Sequence, residues 1–355
     1  MLSQNKPLFP RPKFTAPLIL LSLFSLFGLY EGSSAAPQKA ALKTPAKKVP
    51  AAKAKIPPKA ASTKPAKAPF AAHKPKAGEK EMLWRVSSES GATIYLLGTI
   101  HVFRPEYYPL PDEMEKAFAK SKALLVEIDI SRSDPKRTAY LLSSRGIYPS
   151  GDDMTKHLST QTSSILQQYC MSSDLQFSNL IHMKPWLADL TITQKEFQRL
   201  GYSPNSGIDR HFIDEANMSG KKIIGLETEE FQLTLFSELS PKLQEALLNQ
   251  TFEDLKELPV LAGDMMRCWW TGDEKGLDDI RKKDNLKHPE FEEVDQKILY
   301  DRNIQMADKL EAYLKGSDTF MCAVGAAHMV GEKGICALLK SRGYKVSQVL
   351  AGEEI

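Results

Sequence analysis

Ile94-Tyr-Leu-Leu-Gly-Thr-Ile-His101 is echoed, near the other end of the chain, by Phe320-Met-Cys-Ala-Val-Gly-Ala-Ala-His328. Each is an apolar run of strand character that closes on a glycine, then two residues, then a histidine. Glycine at a strand end permits a sharp turn or a close approach of backbone. The histidine then projects into the crevice beyond the strand's carboxyl end, where open α/β sheets place their ligands. If the two strands are neighbours, His101 and His328 converge although 227 residues separate them. The fold expected is α/β, with a central sheet built from N- and C-terminal segments and a large helical insertion between them.

The flanking sequence extends this reading. Leu83–Ser87 and Thr93–Leu97 are short β-like runs separated by Glu-Ser-Gly, a hairpin pattern. Leu110–Lys120 has a Pro-Asp-Glu start and helical apolar spacing. Ala123–Ile128 is apolar except for Glu127 and reads as a buried strand. Helical spacing follows near 158–170, 185–200, 207–219, 228–236, 241–271 and 290–315, with a short strand at Lys221–Leu226. The end returns to strand 319–324, helix 332–341 and strand 344–350.

Composition divides the chain. Residues 1–80 hold 15 Lys or Arg against 2 Asp or Glu, whereas residues 81–355 hold 32 against 42, a net of −10. Nucleic acid is therefore excluded as a partner of the folded part, because phosphate binding needs a basic face. Lys6, Arg11 and Lys13 precede the apolar run Pro17–Tyr30 and the small residues Ser33–Ala36. That pattern reads as a signal peptide over 1–36 and predicts a periplasmic or secreted protein, an uncleaved anchor being the alternative. Residues 37–80, nearly all Ala, Lys and Pro, are expected to be a disordered linker, either a plain spacer or a cationic contact to an anionic envelope. Residues 81–355 form the expected single domain. Cys170, Cys268, Cys322 and Cys336 suit an oxidising compartment without demanding disulfides, and no C-x-x-C pair points to redox chemistry or structural zinc.

Acidic and basic candidates accompany the histidines. Glu127 lies at a strand's carboxyl edge, as a functional carboxylate or as the partner of a basic group. Glu227 follows the strand in Ile-Ile-Gly-Leu-Glu-Thr, or begins a helix whose dipole favours it. Asp209 sits at a helix start, where an acidic cap is the common explanation. Arg302 and Asn303 read from the residues alone as the solvated face of a long helix. Two neutral imidazoles with one or two carboxylates suit a divalent metal with an open position for water. The same groups could act without metal, a His or Glu serving as general base. His-Glu-x-x-His, a phosphate-binding glycine loop and Gly-x-Ser-x-Gly are all absent from the sequence.

Several short motifs occur in a specific order: Leu97-Gly-Thr-Ile-His101, Leu125-Val-Glu127, Lys184-Pro-Trp186, Gly201-Tyr, Gly207-Ile-Asp209 and Gly225-Leu-Glu227-Thr. Trp270-Thr-Gly-Asp273, Arg302-Asn303 and Val324-Gly-Ala-Ala-His328 complete the series. In this order they resemble the TraB/GumN family, which includes PrgY and the animal Tiki proteases, over nearly all of residues 82–353. The resemblance implies an erythromycin-esterase- or ChaN-like fold and a metal-dependent hydrolase, most readily a peptidase acting on a peptide or protein. Carried over, His101, His328, Glu127 and Asp209 form the expected ligand set for a divalent ion (Mn, Co or Zn). Glu127, Glu227 and Arg302 are the expected catalytic residues. Ala327 departs from the glycine common before the second histidine, and its methyl group is expected to narrow the approach. Two other classes stay open: a protein that sequesters a peptide or haem without turnover, and a metal-free esterase-like hydrolase. Deleting the basic tail is expected to leave the domain folded, with an unchanged thermal midpoint, since nothing in it can join a core.

Overall fold

In the computed structural model, which describes residues 75–283, 285 and 288–355, the two Gly-x-x-His strands lie side by side. The expected signal peptide and most of the expected linker fall outside these residues. Six strands, β1 (Lys80–Ser87), β2 (Thr93–Thr99), β3 (Ala123–Val126), β4 (Lys222–Gly225), β5 (Thr319–Gly325) and β6 (Lys345–Leu350), form one sheet in the order β4-β3-β5-β2-β1-β6. β2, β5, β3 and β4 are mutually parallel, and β1 is antiparallel to both β2 and β6. The architecture is therefore α/β with a mixed sheet. The last residues of the expected linker belong to it: Gly78 N–H donates to the Ala351 carbonyl, and Ala351 N–H to that of Glu79.

Burial explains the order. β3 is buried along its whole length and β2 and β5 almost so, as apolar strands with helices on both faces must be. The charged ends of β4 and β6 suit the two sheet edges. The helical middle is two blocks rather than one insertion, because β4 returns to the sheet between them. Helices Pro135–Gly146 and Glu274–Lys282, absent from the sequence reading, carry strong local signals. Asp134 and Asp273 cap their first turns through side-chain oxygens.

Register then positions the chemistry. Thr99 pairs with Gly325, so His101 and His328 emerge two and three residues beyond matched strand ends. Val126 pairs with Ala323 on one side and Gly225 on the other, which brings Glu127 and Glu227 to the same edge. Pairing continues past the strands, with Glu227 N–H donating to the Glu127 carbonyl at 2.8 Å. Close approach, not unusual dihedrals, accounts for Gly98. A Cβ there would lie 2.9 Å from Met82 Cγ and 3.1 Å from the Ala326 backbone. Ala326 therefore packs against the first motif, while Ala327 is only half-buried.

A smaller apolar cluster, including Leu166, Leu180, Ile192, Leu248 and Phe252, joins helices Thr160–Ser172, Pro185–Arg199 and Pro241–Asp254 away from the sheet. Asp189, fully buried in the second of these helices, has no hydrogen-bond partner of good geometry among the described residues for either carboxyl oxygen. Burial raises its pKa from 3.8 to about 7, opposed only by the nearby Thr251 hydroxyl. The folded protein thus holds this proton where the unfolded chain has released it, so stability falls as pH rises from about 4 to about 7. Asp189→Asn is expected to match the wild type near pH 4 and to exceed it by roughly 2–4 kcal/mol at pH 8 in urea unfolding. Parallel pH dependences for the two proteins would remove the argument.

Candidate metal centre

The carboxyl edge of the sheet gathers every site residue singled out from the sequence. His101, Glu127, Arg302 and His328 are each no more than 4% exposed, and Asp209 is 6% exposed. Glu127 occupies the middle. Its Oε2 accepts from Arg302 Nη2 at 2.6 Å and from Gln232 Nε2 at 2.9 Å, and its Oε1 accepts from Gly325 N–H at 2.7 Å. The second carboxylate, Glu227, accepts from Arg302 Nε at 2.9 Å and from Gln232 Nε2 at 2.8 Å. Arg302 and Gln232 therefore bridge the two glutamates, and Arg302 Nη1 is anchored on the Ile298 carbonyl at 2.8 Å.

Both histidines face Glu127 Oε1, His101 Nε2 at 3.5 Å and His328 Nε2 at 3.8 Å. Neither Nε2 has a hydrogen-bond partner among the described residues. On the far side of each ring stands a different residue. Asp209 Oδ1 is 3.1 Å from His101 Nδ1, at ion-pair distance but not aligned as a hydrogen bond, and Asn303 Oδ1 is 2.5 Å from His328 Nδ1. Gly325 forms the floor: a Cβ there would lie 3.2 Å from both Glu127 Oε1 and His101 Nε2. Any side chain would fill the space between the three groups.

Electrostatics separates the two imidazoles. Burial alone would push His101 down, but Asp209 and Glu127 outweigh it and raise its pKa to about 10. Burial and the Arg302 charge push His328 down to about 3, against the pull of Glu127. Burial also works against ionised Glu127, yet Arg302 and the two histidines hold its carboxyl well below the usual range. The surroundings thus favour the protonated form of one imidazole and the neutral form of the other, around a single carboxylate.

Several expectations change against this geometry. Asp209 neither caps its helix, whose N-cap is Gly207, nor joins the donors at Nε2, because it stands behind the His101 ring. Glu227 lies before the helix, which starts at Glu229 with Thr228 as its N-cap. Arg302 and Asn303 are not a solvated face, being 1% and 0% exposed. Gln232 was not anticipated. It lies on the first turns of Glu229–Ser237, where helical side chains lean back towards the N-terminus and so towards Glu227. Other motif residues are scaffold: the neighbouring Trp269 Nε1 donates to the Gly98 carbonyl at 2.7 Å, and Pro185 opens its helix.

Comparison with known proteins places the chain. The model of the TraB/PrgY/gumN family matches residues 82–348. The uncharacterised protein YbaP of Escherichia coli strain K12 is 26% identical over 246 residues, 69% of this chain and 87% of that protein. A metalloprotease TIKI homolog of Amphimedon queenslandica is 23% identical over 328 residues, 79% of this chain and 63% of the relative. Metalloprotease TIKI2 of Xenopus tropicalis is 25% identical over 324 residues, 76% of this chain and 60% of the relative. No solved structure matches, so the expected esterase- or ChaN-like likeness rests on sequence resemblance alone.

Arg302 is the counter-charge for two carboxylates. Replacing it by Met strands both, and the cost expected from breaking a buried pair is roughly 3–5 kcal/mol in urea unfolding. Adding Glu227→Gln should recover part of that loss by removing one stranded charge. A single Arg302→Met variant as stable as the wild type would show that the clamp does not hold the site.

Proposed function

The chain belongs to the TraB/PrgY/gumN family, and from that premise we propose that it is an exported metal-dependent hydrolase acting on peptide bonds. The observation that carries the reading is the pair of buried, unpartnered Nε2 atoms facing one carboxylate oxygen. Separations of 3.5 and 3.8 Å are long for hydrogen bonds. They are close to the roughly 3.4 Å that separates two donors bound to one tetrahedral ion. Asn303 backs the His328 ring at Nδ1 by a hydrogen bond, as metal-bound imidazoles are backed, and Asp209 stands at ion-pair distance from His101 Nδ1. Among the described residues no group of three or more His, Cys, Asp or Glu side chains is a ready-made cage. Glu127 commits Oε2 to Arg302 and Gln232, which leaves Oε1 as the atom nearest both imidazoles. The donor set we propose is His101 Nε2, His328 Nε2 and Glu127 Oε1, a combination of ligand types that suits Mn, Co or Zn and leaves positions open. When bound, such an ion supplies Lewis acidity and a water of lowered pKa.

The chain's own residues do the rest. For His101 Nε2 to offer a lone pair, its ring hydrogen must lie on Nδ1, the nitrogen that faces Asp209. Arg302, Gln232 and the Gly325 N–H prevent Glu127 from swinging, so Oε1 stays beside both rings. Burial excludes bulk water and strengthens each of these interactions. Support for proteolysis comes from the TIKI relatives, whose names call them metalloproteases. Export rests on the positive N-terminus and its apolar run, and envelope contact on the basic tail. No described helix is long and apolar enough to cross a membrane. A metal-free reading uses the same atoms, since Asp209 beside His101 makes an acid–base couple. Activity that survives exhaustive chelation would mark it. Capture of a peptide or haem without turnover draws no specific support from the geometry.

Elemental mass spectrometry on the full chain, purified without chelator, tests the proposal directly. Near-stoichiometric metal is expected in the wild type and none in a His101→Ala/His328→Ala variant that still folds. A metal-free wild type, even after manganese, cobalt and zinc are offered, would overturn it.

A further inference from the structure

Asn303 occupies a position that the fold distorts a helix to reach. The segment from Phe291 to Leu314 runs as helix Phe291–Asp295, a π turn Gln296–Tyr300 and helix Asp301–Leu314. Upstream, burial follows Phe291, Val294, Asp295 and Ile298. Downstream it follows Arg302, Asn303, Met306, Ala307 and Leu310. Three consecutive buried residues, Ile298, Leu299 and Tyr300, mark where the inward face slips by about one position. The consequence is that two adjacent residues reach the site. Arg302 meets the glutamates and Asn303 meets His328.

The amide of Asn303 can be read without ambiguity. Its Nδ2 donates to the Lys333 carbonyl at 2.8 Å, so Oδ1 is the atom facing His328 Nδ1 at 2.5 Å. An amide oxygen only accepts, so the hydrogen must lie on Nδ1. Both residues are 0% exposed, so bulk solvent does not reach the contact. We infer that Asn303 is the positioning residue that holds His328 in its Nδ1–H tautomer, aiming the Nε2 lone pair into the space beside Glu127 Oε1 and Gly325, and that the π turn exists to deliver it. A neutral acceptor suits this task beside Arg302, because it orients the ring without adding a third buried carboxylate to Glu127 and Glu227. The functional consequence, stronger ligation by His328, rests on the metal-dependent reading above. The tautomer itself does not.

Long-range ¹H–¹⁵N correlation of the full chain, with His328 assigned by a His328→Gln variant, reads the tautomer before any metal is added. A protonated Nδ1 and a lone-pair Nε2 are expected in the wild type, and the reverse pattern there overturns the inference whatever the variants do. Asn303→Leu, close in size but without an acceptor, should lose the single tautomer and weaken cobalt(II) binding by about 10- to 100-fold, read from its visible absorption. Asn303→Asp should keep the tautomer and restore cobalt binding. A folded Asn303→Leu variant with unchanged tautomer and unchanged cobalt affinity would also overturn the role. If no protein binds cobalt but the tautomer follows residue 303, the metal reading fails and the positioning role stands.

Discussion

The burial of Glu127 is the constraint on which the rest of the site depends. An ionised carboxylate 4% exposed is strongly unfavourable unless its oxygens are satisfied. Three elements distant in sequence meet that demand: the end of β5 through Gly325 N–H, the helix after β4 through Gln232, and the helix before β5 through Arg302. Arg302 is in turn too buried to stand with a single partner, which brings in Glu227 and the Ile298 carbonyl. The clamp and the sheet edge therefore specify each other. Strand register sets the two glutamates side by side, and the cation that makes their proximity tolerable is the group that holds one of them beside the histidines.

The two histidines share a local frame yet have opposite electrostatic settings. His101 has Asp209 behind it and Glu127 before it, so charge favours its protonated form. His328 has a neutral amide behind it and lies in the field of Arg302, so its protonated form is disfavoured. Buried polar atoms without a hydrogen bond among the described residues, such as Nε2 of His101 and of His328, are a poor way to stabilise a fold. The ligand site proposed above would give those atoms partners.

Much of the architecture was legible from local pattern. Both motif strands, the β1–β2 hairpin, the long helices and the short strand β4 follow from apolar periodicity and turn residues, because these are properties of contiguous segments. Helices Pro135–Gly146 and Glu274–Lys282 are absent from the sequence reading although Asp134 and Asp273 announce them as N-caps, because each is short and carries few apolar residues. Arg302 and Asn303 were misread for a different reason. A charged and an amide residue inside a helix look solvated by residue type, although Met306, Ala307 and Leu310 follow them at helical spacing on one buried face. Asp209 was misassigned because a helix-start acid caps in most settings. Here Gly207 takes the cap and the carboxylate is free to face His101.

By itself the sequence determined which residue types were available for chemistry, that they cap apolar strands, and that the folded part is acidic beside a basic tail. Those are matters of composition and short-range periodicity, which are written residue by residue. Tertiary structure alone decided which atoms face one another: that β5 inserts between β3 and β2, that one arginine serves two glutamates, and that each histidine turns Nε2 inward. Such facts depend on contacts across 75 to 198 residues of chain, as between Glu227 and Arg302 or Glu127 and Gly325. No local propensity encodes them. They emerge only when buried charges must find partners in three dimensions.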